Sequence, residues 1–140
     1  MTAADEATAG LRVIRARDRE PAVASGPMLR EAAISENLVG ARKIWLGYVE
    51  LGPGQVSAVH HHGEAESGIY LISGTARFYT GEQLDEVHEA HTGDFVWVPP
   101  HLPHVEQNVD PTAPVRMVVA RSTQASLTFN LETPAGWSPR

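Results

Sequence analysis

Three consecutive histidines, His60, His61 and His62, are followed by Glu64 and Glu66, so five side chains able to bind a metal or carry a proton lie within seven residues. Side chains along a strand alternate between faces, which puts His60 and His62 on one face and turns His61 away. Two imidazoles so placed can grip one ion. Three adjacent histidines in a polar loop can also simply be solvated, and a second stretch is what argues for an ion. Gly93 to Asn108 reads GDFVWVPPHLPHVEQN. An apolar run ends at Pro99 and Pro100, and a tight turn delivers His104 to the start of the next strand. Three neutral imidazoles with at most one carboxylate suit one divalent transition metal ion, Fe, Zn, Ni, Mn or Cu, better than Ca or Mg, which prefer all-oxygen shells.

The elements that must position these residues are strands. The chain has 140 residues, 42% hydrophobic and 20% charged, enough for one domain with a real core. Its 12 glycines and 10 prolines indicate many turns, as a short-stranded all-β domain requires. Strands are predicted at Ala41 to Leu51, Gln55 to His62, Ile69 to Ser73, Ala76 to Thr80, Phe95 to Val98, His104 to Asn108, Val115 to Ala120 and Ser126 to Leu131. Residues 1–27 read as a loosely ordered arm with a possible short strand at Leu11 to Ile14, residues 28–131 as the domain and 132–140 as a tail. Met28 to Leu38 fits a short helix or an edge strand equally. Gly81 to Glu89 reads as an acidic connection. Tyr48, Tyr70, Phe78 and Trp97 read as core, and Trp137 as cover for an edge or a partner subunit.

The two histidine stretches together resemble the paired motifs of the cupin family. Gly54, His60, His62, Glu66 and Gly74 fill the places of the first motif, and Gly93, Pro99, His104 and Asn108 those of the second. The motifs stand 18 residues apart, and the resemblance runs from about Ile44 to Val119. It implies an all-β, double-stranded β-helix, a jelly-roll barrel in a single domain, with His60, His62, Glu66 and His104 as metal ligands. The sequence departs from the family pattern twice. His101 stands where the family usually has Gly, a position that calls for left-handed backbone. Counted back from Gly74, the ligand Glu would fall on Ser67, whereas the spacing forward from His62 selects Glu66. A one-residue slip turns a strand side chain to the other face, so Glu66 requires a bulge between Gly63 and Gly68. Glu64 or a water are the alternatives.

A net charge of −6, from 11 basic and 17 acidic residues, argues against a general nucleic-acid surface. There is no cysteine, which excludes disulfides and thiolate zinc sites. No secretory signal or membrane span is evident, and a cytoplasmic protein is expected. The resemblance spans enzymes (dioxygenases, isomerases, cyclases, lyases and decarboxylases) and also non-catalytic ligand-binding or sensory modules. The expectation is a metal-dependent enzyme acting on a small organic molecule held in the barrel; the alternative is a binding or sensory cupin. Glu106 shares parity with His104 and is the candidate acid/base group; Asn108 shares that parity too. A homodimer is expected, paired through Leu11 to Ile14 and Ser126 to Leu131.

Overall fold

The computed structural model describes Thr2, residues 10–125 and residues 128–140. Period-two alternation builds its first sheet. In β3 (Trp45–Leu51) residues Trp45, Gly47, Val49 and Leu51 are buried while their neighbours are only partly covered. Likewise β5 (Ser67–Ser73) buries Ser67, Ile69 and Leu71, and β10 (Val115–Arg121) buries Val115, Met117, Val119 and Arg121. Strand register lines these residues up in rows across the sheet. Leu51 lies opposite Val115, Val49 beside Met117 and Leu71, and Gly47 beside Val119 and Ile69, while the last row joins Trp45, Arg121 and Ser67. One end of the sheet's inner face is therefore apolar and the other polar. β1 (Glu20–Pro21) and β2 (Leu29–Ile34) extend the sheet at one edge and β8 (Phe95–Val98) closes the other, in the order β1-β2-β3-β10-β5-β8.

A second, five-stranded sheet has the order β11-β4-β9-β6-β7, formed by β4 (His60–His61), β6 (Thr75–Thr80), β7 (Glu86–His91), β9 (His104–Asn108) and β11 (Phe129–Asn130). All pairings in both sheets are antiparallel. Its inner residues Ala76, Phe78 and Ala90 join Ile69, Leu71 and Met117 in one core. At about 1.5–3 kcal/mol for each large apolar side chain fully removed from water, this interior is the main source of stability. The back of the second sheet carries a smaller cluster, Val59, Tyr79, Leu84 and Val105, against which Trp137 packs. The Trp137 indole donates to the Leu84 carbonyl at 3.1 Å and meets the Tyr79 ring edge-on. The tail thus covers this chain's own sheet.

Gly74 turns β5 into β6 at φ 93, and an added Cβ would come within 3.0 Å of the Pro114 carbonyl. Only glycine suits that position.

Several boundaries differ from those the sequence suggests. The Met28 to Leu38 segment is both of its alternatives in turn, strand β2 and then a short helix α1 (Glu36–Val39) capped by Ser35, whose hydroxyl accepts from the Leu38 amide. No strand forms at Leu11 to Ile14; residues Ala16–Asp18 make a 3-10 turn and Glu20–Pro21 pair with β2. The arm is anchored further along, where Ser25 is fully buried and its hydroxyl bonds the Asn130 side chain at 3.0 Å. Most of the first ten residues, and Ser126 and Leu127 of the strand expected at 126–131, lie outside the described residues. Within Gly81 to Glu89, which reads as a connection, strand β7 begins at Glu86. Its charged, mostly exposed residues suit a sheet edge, where charge discourages further pairing.

Candidate metal centre

His60 and His104 face each other as Cα partners across β4 and β9. His62 follows on the same parity as His60, just past the end of β4, where Gly63 and Glu64 form a turn. All three residues are buried. The ring centres of His60 and His104 are 4.2 Å apart, with His62 at 5.0 Å from the first and 5.4 Å from the second. One ring nitrogen from each lies within 4.8 Å of the others, a spacing that one ion could bridge. His61 points away, stacks on Phe129 and accepts the Gly63 amide at 3.0 Å. The Pro-Pro turn that delivers His104 is held by His101, which adopts φ 62 and donates its amide to the Gly63 carbonyl at 2.7 Å.

The tautomers follow from the hydrogen bonds. Nδ1 of His60 contacts the Ala58 carbonyl at 2.8 Å, and Nδ1 of His104 the Leu102 carbonyl at 2.9 Å. A carbonyl only accepts, so each Nδ1 carries the proton and each Nε2 keeps its lone pair. Both Nε2 atoms are buried and without a hydrogen-bond partner. Carbonyl-anchored rings with free, inward Nε2 atoms are what a metal-binding histidine requires, and the residues fit a divalent transition metal. Burial, and secondarily His104, push the His60 imidazole down to about 4, so it stays neutral as a ligand must.

Glu106 is buried on β9, two residues beyond His104, with Oε1 at 3.5 Å from His104 Nε2. Its backbone is locked to Ser57, whose amide donates to the Glu106 carbonyl at 2.8 Å and whose hydroxyl accepts the Glu106 amide at 2.9 Å. Burial by itself raises the Glu106 carboxyl, but His104 and His60, once they take up protons in acid, and Arg30 outweigh it and lower it, so that the group is a carboxylate while the imidazoles are neutral. Asn108 has the expected parity and a different task. Its amide nitrogen donates to the carbonyls of Leu51, Gly52 and Ala113, tying two loops together.

Glu66 is not brought to the three imidazoles. It is exposed just before β5, and its amide donates to the Ser122 hydroxyl at 3.0 Å. Ser67 holds the inward position instead, buried, with an unpartnered hydroxyl. Continuous pairing of Ser67 to Leu71 with β10, and of Ser67 to Tyr70 with β8, fixes this parity. The strand's irregularity falls between Leu71 and Ser73, too late to re-aim Glu66. Glu64 is exposed as well.

A cleft of about 440 Å³ between the facing edges of the two sheets reaches the site; Phe78, Thr80, Trp97, Val98, Leu102 and His104 are among its lining residues. Tyr70 and Trp97 are not core residues: they stand 38% and 65% exposed on outward positions of β5 and β8. The sequence reading also passed over two interior arginines, Arg30 and Arg121. Their signal was parity, since Arg121 continues the inward series Val115, Met117, Val119, and Arg30 sits between Met28 and Ala32.

A family model described as a cupin domain matches residues 47–121. No curated protein sequence matches the chain. Among solved structures it is similar to the polyketide cyclase RemF from Streptomyces resistomycificus, with TM-score 0.73 and 18% identity over 90% of this chain and 89% of that one. It is similar also to an uncharacterized conserved protein with a double-stranded β-helix domain from Klebsiella pneumoniae, with TM-score 0.68 and 19% identity over 89% and 100%. Oxalate decarboxylase from Bacillus subtilis matches with TM-score 0.70 and 18% identity over 87% of this chain but 33% of its own length. The facing antiparallel sheets, the three clustered histidines and the family match over more than half the chain carry one conclusion: the protein belongs to the cupin family.

Proposed function

We propose that the protein is a metal-dependent enzyme acting on a small organic molecule bound within the barrel, with His60, His62 and His104 holding one divalent transition metal ion. The observation that carries this reading is the pair of buried, unpartnered Nε2 atoms on His60 and His104, each ring fixed through Nδ1 to a backbone carbonyl. When bound, an ion held by three imidazoles supplies Lewis-acid or redox chemistry at its open positions. The chain's own residues do the rest. Barrel walls exclude water, the Leu102 and Ala58 carbonyls orient the imidazoles, and the Glu106 carboxylate stands ready to accept a proton from substrate at Oε1. Ser67 stands where the fourth ligand, a carboxylate, was expected, so the ligand set is three neutral imidazoles.

The similar structures suggest reactions to try first, cyclisation as named for the polyketide cyclase and decarboxylation as named for oxalate decarboxylase. The Mn(II) centres named for the latter put manganese among the metals to try. The test is turnover of candidate substrates by metal-loaded protein, with and without oxygen. Glu106→Gln should retain the metal and lose about 10²–10⁴-fold in rate. Tight binding of a compound that is never converted would instead support a non-catalytic binding cupin.

Of the two segments expected to pair a homodimer, Leu11 to Ile14 forms no strand, while Phe129–Asn130 is edge strand β11; the opposite sheet offers a larger apolar edge. Edge strand β8 exposes Phe95 and Trp97, and Tyr70 and Ile72 are exposed on β5 beside it. A second copy seated there would cover both the apolar patch and the open edge.

A further inference from the structure

Two guanidinium groups are shut inside the barrel, and one buried carboxylate, Glu106, shares that interior with them. Arg30 on β2 is 3% exposed and Arg121 at the end of β10 is 5% exposed. Register places both inward: Arg30 lies opposite fully buried Val49, and Arg121 between buried Trp45 and buried Ser67. The Arg121 guanidinium sits 4.5 Å from the centre of the Trp45 ring. That ring lies over Gly47, where an added Cβ would fall 2.2 Å from Trp45 Cη2.

Each guanidinium keeps a donor that the protein leaves unsatisfied. Nε of Arg30 and Nε of Arg121 are buried without a hydrogen-bond partner, and so is the hydroxyl of Ser67, beside Arg121 in the same row. Arg30 makes only long contacts, Nη1 to the Val23 carbonyl at 3.4 Å and Nη2 to the Met28 sulfur at 3.6 Å. Among the described buried residues, Glu106 is the one carboxylate facing these two cations, and it already stands against His104. Two guanidiniums against one carboxylate leave one positive charge, before any metal adds its own. Burial, and then Arg30, pull the Arg121 group down to about 9, as expected of an undercompensated cation.

Unsatisfied donors and excess positive charge in a buried interior call for an anion, and the planar fork of arginine matches a carboxylate. The row Trp45–Arg121–Ser67 continues to Val98 on β8, and Val98 lines the cleft that reaches His104. Ser67 is thus one strand behind a residue of the cleft wall, and Arg121 one strand further. Building on the metal-enzyme reading above, we propose that Arg30, Arg121 and Ser67 form the carboxylate-binding subsite of this barrel, so that its substrate is a small organic acid.

The test is calorimetric titration of the full chain, metal-free and metal-loaded, with malonate, using neutral malonamide and inorganic phosphate as comparators. Malonate should bind the metal-free protein, and malonamide should not. Arg121→Met and Arg30→Met should each weaken malonate at least about tenfold, the scale of losing a charge-assisted hydrogen bond. Both variants should melt at or above the wild-type temperature, because an apolar isostere relieves a buried unpaired cation. Malonate binding that is absent in wild type, unchanged in both variants, or matched by phosphate would overturn the subsite. Metal uptake without malonate binding sinks the subsite and spares the metal centre; malonate binding without metal uptake does the reverse. Arginine variants that melt well below wild type would show the guanidiniums to be structural, and would overturn the proposal.

Discussion

Ser67 and Arg121 are Cα partners across β5 and β10, both buried, and the Ser67 hydroxyl finds no hydrogen-bond partner. The pairing settles which residue of the Glu66–Ser67 pair looks inward, and it sets a small neutral hydroxyl beside a guanidinium. Glu66→Gln should therefore leave metal content and metal affinity unchanged, within about threefold. Ser67→Glu, by contrast, puts a carboxylate on the inner face beside Arg121, and should slow metal loss to a chelator if that side chain reaches the ion. Competition against a fluorescent chelator checks both; a large loss in Glu66→Gln would restore Glu66 as a ligand.

Gly47 makes room for the Trp45 ring. A Cβ there would stand 2.2 Å from Trp45 Cη2 and 2.6 Å from the Glu31 carbonyl, and backbone cannot yield as a flexible side chain can. Gly47→Ala should cost about 1–3 kcal/mol, the usual range for overpacking, and should shift the Trp45 environment. Urea denaturation gives the first number and near-ultraviolet circular dichroism the second. An unperturbed variant would mean that the ring is free to move.

The depressed His60 imidazole links stability to pH. Its folded value is about 4 against an unfolded value near 6.5. Between those values the unfolded chain binds more protons, so stability is full above about pH 6.5 and falls as pH drops toward 4. The loss should be of order 3 kcal/mol, from roughly 1.4 kcal/mol for each pH unit. Metal-free wild type and His60→Gln, unfolded in urea at pH 7 and pH 5, give the comparison; an equal pH dependence in both proteins would remove His60 as the cause.

Phe95 and Trp97, exposed on edge strand β8, predict self-association. Light scattering at micromolar concentration should give twice the chain's 15.2 kDa, and Trp97→Glu should return it to the single-chain mass. A wild-type mass of one chain contradicts the dimer.

Why some of this was readable in the sequence and some not follows from where each residue's position is decided. His60, His62 and His104 depend on local parity and on a Pro-Pro turn, both visible in a few adjacent residues. Glu66 depends on where β5 begins to pair, which is set by β10 and β8, strands distant in sequence. The left-handed turn at His101 was expected from the family resemblance, which has Gly at that place, and its φ of 62 agrees. β7 was hidden because an edge strand with charged residues lacks an apolar face. Arg30 and Arg121 look like surface charges until their register puts them beside Val49 and Trp45. A short-stranded all-β domain was readable because alternating runs recur between glycine and proline turns, and the barrel architecture came from the family resemblance; which strand pairs with which was not written in any single run.

Elemental analysis of untagged protein grown with supplemented iron, manganese, nickel, copper and zinc tests the metal centre most directly, taken on wild type, His104→Ala and His61→Ala in parallel. Wild type and His61→Ala should hold close to one transition metal ion per chain. His104→Ala should hold almost none, because it deletes a ligand outright, a larger loss than the about 10–100-fold that follows from disturbing an outer-shell partner. Wild-type protein that takes up no metal, or His104→Ala protein that keeps as much as wild type, would contradict the three-histidine centre.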